Sequence, residues 1–283
     1  LENAGMPLIR NTYGKGRVRV MRIHRDGDYN EVRELDVHAM LDGDFAAAYT
    51  HGDNRSVVAT DTIKNITYIV ARENLRAGPE HFITALAERF LSRYQQVETV
   101  RISVSETSWS RVSFDGAPHG HSFTLDGNGK PTAEIEASRD GARITSGIAG
   151  FTFMKSTQSG WVDYVMDDYT TLPPTTDRIA ATSMKAQWTW LAEPSDYEAT
   201  NRLILSTMLK VFGTTYSYGV QDSLYRMGEA ALAAVPELAT IRMACPNKHY
   251  IPMSLDRFGM SADNSVFIAT DEPHGQIECE VGR

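Results

Sequence analysis

Between Lys155 and Arg178 the chain reads KSTQSGWVDYVMDDYTTLPPTTDR, a run that concentrates an aromatic ring, hydroxyls, carboxylates and a guanidinium. The indole of Trp161 offers a flat apolar platform and Arg178 a planar fork of N–H donors, a combination that suits a flat, anionic, nitrogen-rich heterocycle. Gln221 adds a carboxamide, which both donates and accepts. Each group also has a plainer reading. Arg178 can pair with Asp167 or Asp168, Trp161 can be a stacked surface residue, and Gln221 can be a polar residue in a first helical turn.

Other residues have the types that move protons or attract anions. Lys15 lies at the start of the first strand, where a lysine is either a solvated edge charge or, if desolvated, an amine of reduced proton affinity. Thr60 and Asp61 read as the N-cap pair of a helix, whose unpaired N–H groups and positive dipole end welcome an anion. Asn247 and His249 fall in the run PNKHY, which follows a strand, and a histidine there is either a satisfied structural residue or a proton carrier. His119 and His121 have no companions at metal-ligand spacing and read as surface or turn residues, so no metal site is expected.

These residues must be carried by a chain of 283 residues, 42% hydrophobic and 23% charged, long enough for two domains of roughly 140 residues. A net charge of -8 provides no basic footprint for nucleic acid or an anionic membrane, so an anion site has to be built locally. The two cysteines, Cys245 and Cys279, lack metal-type spacing, and free thiols in a reducing compartment are expected. No apolar run approaches the ~20 residues of a membrane span, no signal-peptide core is visible, and the final residues carry no peroxisomal address. A bacterial-type cytoplasmic location is the expectation.

Alternation places Leu35, Val37, Ala39 and Leu41 on one face of a strand and Glu34, Asp36, His38 and Met40 on the other, with the run from Arg17 to Ile23 as hairpin partner. Asp-Gly pairs beginning at Asp26, Asp42, Asp115, Asp126 and Asp140 mark turns that want positive φ, which argues for antiparallel hairpins. One helix runs through Ile63 and Ile69. A second opens at Pro79 and carries Phe82, Leu86, Phe90 and Tyr94 at four-residue spacing. Strands return at Val100 to Val104, near Ile135, and from Ile144 to Met154.

Met184, Ala186, Trp188 and Trp190 then alternate as a further strand, Ser195 with Glu198 forms a capping box for a helix ending before Gly213, and another helix from about Gln221 turns Leu224, Met227 and Ala231 inward. A final strand spans Leu238 to Cys245. ETVRISV at Glu98 to Val104 parallels ATIRMAC at Ala239 to Cys245, each just after a helix, so the plan is used twice. The expected fold is α+β, with antiparallel sheets carrying helices on one face and domains at residues 1–140 and 141–283.

KST-x-S, DDYTTL and DRI within residues 155–178, together with YGKGRVRV at Tyr13, VVATDTIKN at Val57, VQDSLYRM at Val220 and PNKHY at Pro246, resemble the signatures of the urate oxidase (uricase) family in that family's order, across nearly the whole chain. The resemblance implies two tandem tunnelling-fold domains and a homotetramer in which subunits join sheets into a barrel around a tunnel, with active sites at subunit interfaces. It implies cofactor-free oxidation of urate by dioxygen and water to 5-hydroxyisourate and hydrogen peroxide, with neither metal nor flavin.

By the same resemblance Lys15, Thr60 and His249 form a proton relay, and Thr60 and Asp61 reach a neighbouring subunit's site. Arg178, Gln221 and the Val220 N–H clamp the substrate, and Asn247 holds dioxygen or water above its plane. Trp161 stands where the family pattern has a stacking phenylalanine, with Gly160 before it; the larger indole can tilt or narrow a packed pocket. Pro173 and Pro174 stiffen the approach to Arg178. Competing readings are a zinc-dependent pterin cyclohydrolase of the same fold and a catalytically impaired purine- or pterin-binding relative.

Overall fold

The computed structural model describes residues 6–261 and 264–283, and the chain divides into two compact units, Leu1–Ser146 and Gly147–Arg283. The division falls inside the strand that follows the Asp140-Gly141 turn.

The first unit comprises β1 (Tyr13–Asp26), β2 (Tyr29–Gly43), α1 (Ala46–Thr50), α2 (Thr60–Asn74), α3 (Pro79–Arg93), β3 (Val97–Phe114), β4 (Ala117–Asp126), β5 (Lys130–Ser138) and the opening residues of β6 (Gly141–Lys155). Its sheet runs β1-β2-β3-β5-β6, with β4 paired to β3 off that path. The pairs β1/β2, β2/β3, β3/β4 and β3/β5 are antiparallel, as the turn residues require. Leu35, Val37, Ala39 and Leu41 of β2 are all buried, as are Ile63, Ile66 and Val70 of α2 and Phe82, Leu86 and Phe90 of α3. Burying each such side chain is worth about 1.5–3 kcal/mol, which is what holds the helices to one face of the sheet.

Gly27 takes positive φ (55°) in the two-residue loop between Asp26 and Tyr29, and Asp115 and Gly116 (52° and 80°) do so between β3 and β4. Asp42-Gly43 is different. It ends β2 without a hairpin, and a Cβ on Gly43 would lie 2.0 Å from the Gln96 carbonyl oxygen, so this glycine serves close approach rather than a turn. In β1 a bulge between Lys15 and Val18, with Arg17 at φ 58°, resets the alternation. Tyr13, Lys15, Val18 and Val20 stand opposite Leu41, Ala39, Val37 and Leu35, so all four share the core-facing side although Lys15 and Val18 are three apart.

Two helix expectations need correction in this unit. The N-cap of α2 is Ala59, with no side-chain cap bond, so Thr60 and Asp61 occupy its first two helical positions. Asp61 instead receives Lys64 Nζ and Asn65 Nδ2 within the helix's first turns, which removes its carboxylate from the capping geometry. Ile69 points outward at 50% exposure, and Tyr94 lies just past the end of α3.

The second unit contains the rest of β6, then β7 (Ala180–Trp190), α4 (Tyr197–Thr214), α5 (Val220–Ala234), β8 (Leu238–Pro252) and β9 (Phe267–Gly282), in the sheet order β6-β7-β8-β9. Met184, Ala186 and Trp188 of β7 and Ile241, Met243 and Cys245 of β8 pack against Ile204, Met208, Leu224, Met227 and Ala231. The Trp188 Nε1–H donates to Asn201 Oδ1 (2.9 Å), which satisfies the buried indole and ties β7 to α4. The repeated segments ETVRISV and ATIRMAC fall in β3 and β8, each after the second long helix of its unit.

The cap of α4 is Asp196, whose Oδ1 accepts from the Ala199 N–H (2.9 Å), rather than Ser195. Glu198 pairs with Arg202 one turn on, and the helix continues through Gly213 to Thr214. PNKHY does not follow a strand; it lies within β8, which runs on to Pro252. Both cysteines are free, and among the described residues no helix is long and apolar enough to cross a membrane.

A Cβ at Gly14 would sit 1.9 Å from the Ala39 carbonyl oxygen, a backbone group that cannot step aside. Gly14→Ala is expected to cost about 1–3 kcal/mol of stability through this clash beside the β1 bulge, read as a lower urea midpoint at unchanged m-value.

Candidate active site

Three separate segments of the second unit are laced together by backbone hydrogen bonds. Gly160 N–H donates to Ser217 O (2.9 Å), Ser217 N–H to Gln158 O (2.9 Å), Trp161 N–H to Thr175 O (2.7 Å), Thr175 N–H to Trp161 O (3.0 Å) and Arg178 N–H to Ser159 O (2.9 Å). The Tyr216 hydroxyl adds a bond to Thr176 O (2.7 Å). This lacing needs Gly160, where a Cβ would lie 2.2 Å from the Tyr216 hydroxyl and 2.9 Å from the Thr175 carbonyl oxygen. Lys155 supports the arrangement from below by donating to Phe212 O (3.1 Å) and Thr215 O (2.8 Å), carbonyls at the end of α4; burial lowers its proton affinity.

The outcome is that Trp161, Arg178 and Gln221 converge. The Arg178 guanidinium carbon is 5.7 Å from the centre of the Trp161 ring. A Cβ placed on Gly219 would meet Trp161 Cζ3 at 2.8 Å and Gln221 Oε1 at 3.1 Å, so indole and carboxamide flank the same bare backbone. Val220 and Gln221 are the first two residues of α5, where the N–H groups have no acceptor within the helix. Gln221 is therefore in a first helical turn and beside Trp161 at once.

Arg178 is the electrostatic feature of this corner. Its Nε is buried without a hydrogen-bond partner, and among the described residues neither Asp167 nor Asp168 pairs with it. Asp167 is occupied by Thr170 Oγ1 and the Tyr169 N–H. Desolvation is the main influence on the guanidinium and lowers its proton affinity, yet an arginine does not deprotonate in a protein. A desolvated, unpaired cation beside an aromatic face is a standing demand for an anion.

Asn247 and His249 are half-buried on β8 and, at alternate positions after Cys245, share the strand face on which Cys245 is buried. Asn247 stands opposite Thr182 of β7 and Gly275 of β9, and a register break between Asn247 and His249 leaves Lys248 paired with Asp271 (3.1 Å). Behind this corner lies a cavity of about 30 Å³, lined among others by Ser159, Thr182, Gly219, Val220 and Cys245. It joins β7, β8 and the start of α5 at one place.

In the first unit, Lys15 is half-buried on the core-facing side of β1, and Thr60 and Asp61 are exposed at the start of α2. The Asp61 carboxyl is held below its usual range chiefly by Lys64, with the Lys15 charge adding to the effect. The three thus form one neighbourhood of strand end and helix start.

Sequence reasoning passed over several supporting residues. Tyr164 stacks on Trp161 with ring centres 5.6 Å apart and planes 12° apart, and its hydroxyl donates to Leu172 O. Tyr216 and Gly219 are the others, and the supporting contacts of Lys155 and Gly160 were likewise not foreseen. The glycines are legible only as small residues immediately before Trp161 and Val220.

Two tandem units of antiparallel sheet with paired helices, one of them bearing an anion-seeking corner built from an indole, a guanidinium and a carboxamide, define an α+β tunnelling-fold protein of the ligand-binding kind. The Uricase family model matches residues 11–136 and 144–278, and the chain belongs to that family. It is 38% identical to the uricase of Arthrobacter globiformis over 276 residues, covering 98% of this chain and 90% of that protein. It is 32% identical to the uricase of Oryctolagus cuniculus, covering 100% and 96%. The crystal structure of the Arthrobacter globiformis uricase superposes with a TM-score of 0.93 at 37% identity, covering 99% of this chain and 96% of that one.

Gly219→Ala is expected to displace both Trp161 and Gln221 and to weaken binding of a planar purine anion by about tenfold, roughly 1.4 kcal/mol, in equilibrium dialysis. Burial pushes the Cys245 thiol up to about 12. From pH 9 to 12 the unfolded chain therefore releases this proton while the native chain keeps it, so stability falls as pH rises through that window; Cys245→Ala should make denaturation midpoints flatter there.

Proposed function

We propose that the chain oxidises urate with dioxygen and water to 5-hydroxyisourate and hydrogen peroxide, with Arg178, Gln221 and the Val220 N–H gripping the purine and Lys15, Thr60 and His249 moving its proton. The single observation that carries this reading is the desolvated Arg178 guanidinium, unpaired beside Trp161 and Gln221, in a chain of the uricase family. Urate is a flat anion whose shape and charge suit such a corner. Its ring stacks on the indole, the guanidinium donates along one edge, and the carboxamide answers on the other.

The chemistry follows from the substrate itself. Removing a second proton makes urate electron-rich enough to pass two electrons to dioxygen; water then adds to the oxidised ring as hydroxyl, and dioxygen with two protons leaves as hydrogen peroxide. The protein supplies fixed donors that stabilise the anion and a proton path. Lys15 accepts through the Thr60 hydroxyl, with His249 supporting the transfer, while Asn247 holds dioxygen or water above the ring. Neither metal nor flavin takes part. Electrons go from substrate to dioxygen directly.

Lys15, Thr60 and Asp61 belong to one compact unit and the clamp to the other. In this reading Thr60 and Asp61 of one copy complete the clamp of a neighbouring copy, so the working species is a homotetramer with sites at subunit interfaces. The bacterial-type cytoplasm suits it, since both thiols are free. A pterin-directed or purely binding role is not favoured by membership of the uricase family.

Incubating the protein with urate in air should bleach the urate absorbance while peroxide accumulates. Lys15→Met is expected to lower kcat about 10²–10⁴-fold, the usual worth of a positioned proton carrier, with a smaller change in KM. Arg178→Gln should raise KM at least tenfold. Wild-type turnover in Lys15→Met would remove the relay from the mechanism, and tight urate binding without peroxide in the unaltered protein would make it a binder.

A further inference from the structure

Tyr13 precedes Lys15 by two positions on β1, and Val58 precedes Thr60 by two at the approach to α2. The Val58 N–H donates to the Tyr13 hydroxyl at 2.8 Å, a bond between residues far apart in sequence. The Tyr13 ring stands edge-on to Phe45, with centres 4.8 Å apart and planes at 90°, and Phe45 is fully buried, so the half-buried ring rests on the core along that edge. Tyr13 and Lys15 face Leu41 and Ala39 respectively, both fully buried, and therefore leave β1 on the same side.

Desolvation raises the Tyr13 hydroxyl above its ordinary range and the Val58 bond opposes this, so the group stays a neutral acceptor across the working pH. Other bonds of the 53–58 segment reach elsewhere: Asp53 N–H to Ala47 O and Gln96 Nε2–H to Ser56 O. The Tyr13 hydroxyl bonds that segment to β1 at the residue just before Ala59, the cap of α2.

We infer that Tyr13 is a positioning residue for the proton relay, holding the strand that carries Lys15 against the helix start that carries Thr60 and Asp61. The inference rests on the reading of Lys15 and Thr60 as a proton-transfer pair. A proton passes efficiently only between groups within hydrogen-bond reach, so a slip of about 1 Å between strand and helix lowers the rate of the chemical step far more than it lowers substrate binding. Trp161, Arg178 and Gln221, which grip the purine, lie in the other unit.

The test is Tyr13→Phe in the full-length protein, assayed for urate oxidation beside Lys15→Met and a stability control, Phe82→Leu, which loosens the core under α3. Tyr13→Phe should lower kcat about tenfold with KM for urate within twofold of the starting value, while Phe82→Leu lowers the melting temperature at least as much and leaves kcat unchanged. Wild-type kcat in Tyr13→Phe, with Lys15→Met inactive, overturns the tether and leaves the relay standing. A loss in Tyr13→Phe that appears in KM alone, or an equal loss of kcat in Phe82→Leu, also overturns it. Full kcat in Lys15→Met defeats the relay reading itself, and the tether with it.

Discussion

A guanidinium partly taken out of water without a carboxylate to meet it is costly, and the second unit leaves the half-buried Arg178 with its Nε unpartnered. The cost is tolerated because the backbone around it is locked. Five main-chain bonds join residues 158–161, 175–178 and 217, and two glycines allow the segments to approach more closely than any side chain would permit. Pre-set charge of this kind reorganises little when substrate arrives, which is the property that lets an enclosed site stabilise a developing anion.

The two units use similar elements for different ends. In the first, a bulge in β1 keeps Lys15 on the core-facing side close to the exposed start of α2, so that an amine, a hydroxyl and a carboxylate share one corner. In the second, the corresponding place after two helices becomes the long strand β8, whose face carries Cys245 into the core and Asn247 and His249 beyond it. In the proposed mechanism the sheet-helix-helix-sheet plan is used once to carry the proton relay and once to hold the flat anion. The chemistry proposed for the family's substrate needs both.

The signatures that resemble urate oxidases were legible because they are local: KST-x-S, VVATDTIKN, VQDSLYRM and PNKHY each sit on a single stretch of chain. Alternation in β2 and β7 and the apolar stripe of α3 were equally plain, since period alone sets which side chains face the core. Helix starts were harder. Asp196 rather than Ser195 caps α4, and Ala59 rather than Thr60 begins α2, because several adjacent residues could cap and the backbone entering the helix selects one. The hairpin strand β4, largely polar, had too weak an apolar alternation to announce itself, whereas in β9 Ile277, Cys279 and Val281 alternate with Glu278 and Glu280 and pack on the core, a signal confined to the strand's second half.

Residue types and spacing were sufficient to indicate an α+β chain built twice on one plan, and the resemblance of its motifs indicated the family it belongs to. They could not determine that Arg178 lies unpaired while Asp167 turns to Thr170, that Tyr164 backs the indole, or that Tyr13 reaches Val58. Those facts depend on hydrogen bonds and ring contacts between segments distant in sequence. Only packing of the folded chain brings such groups within 3–6 Å, and no local pattern encodes which partner each will meet.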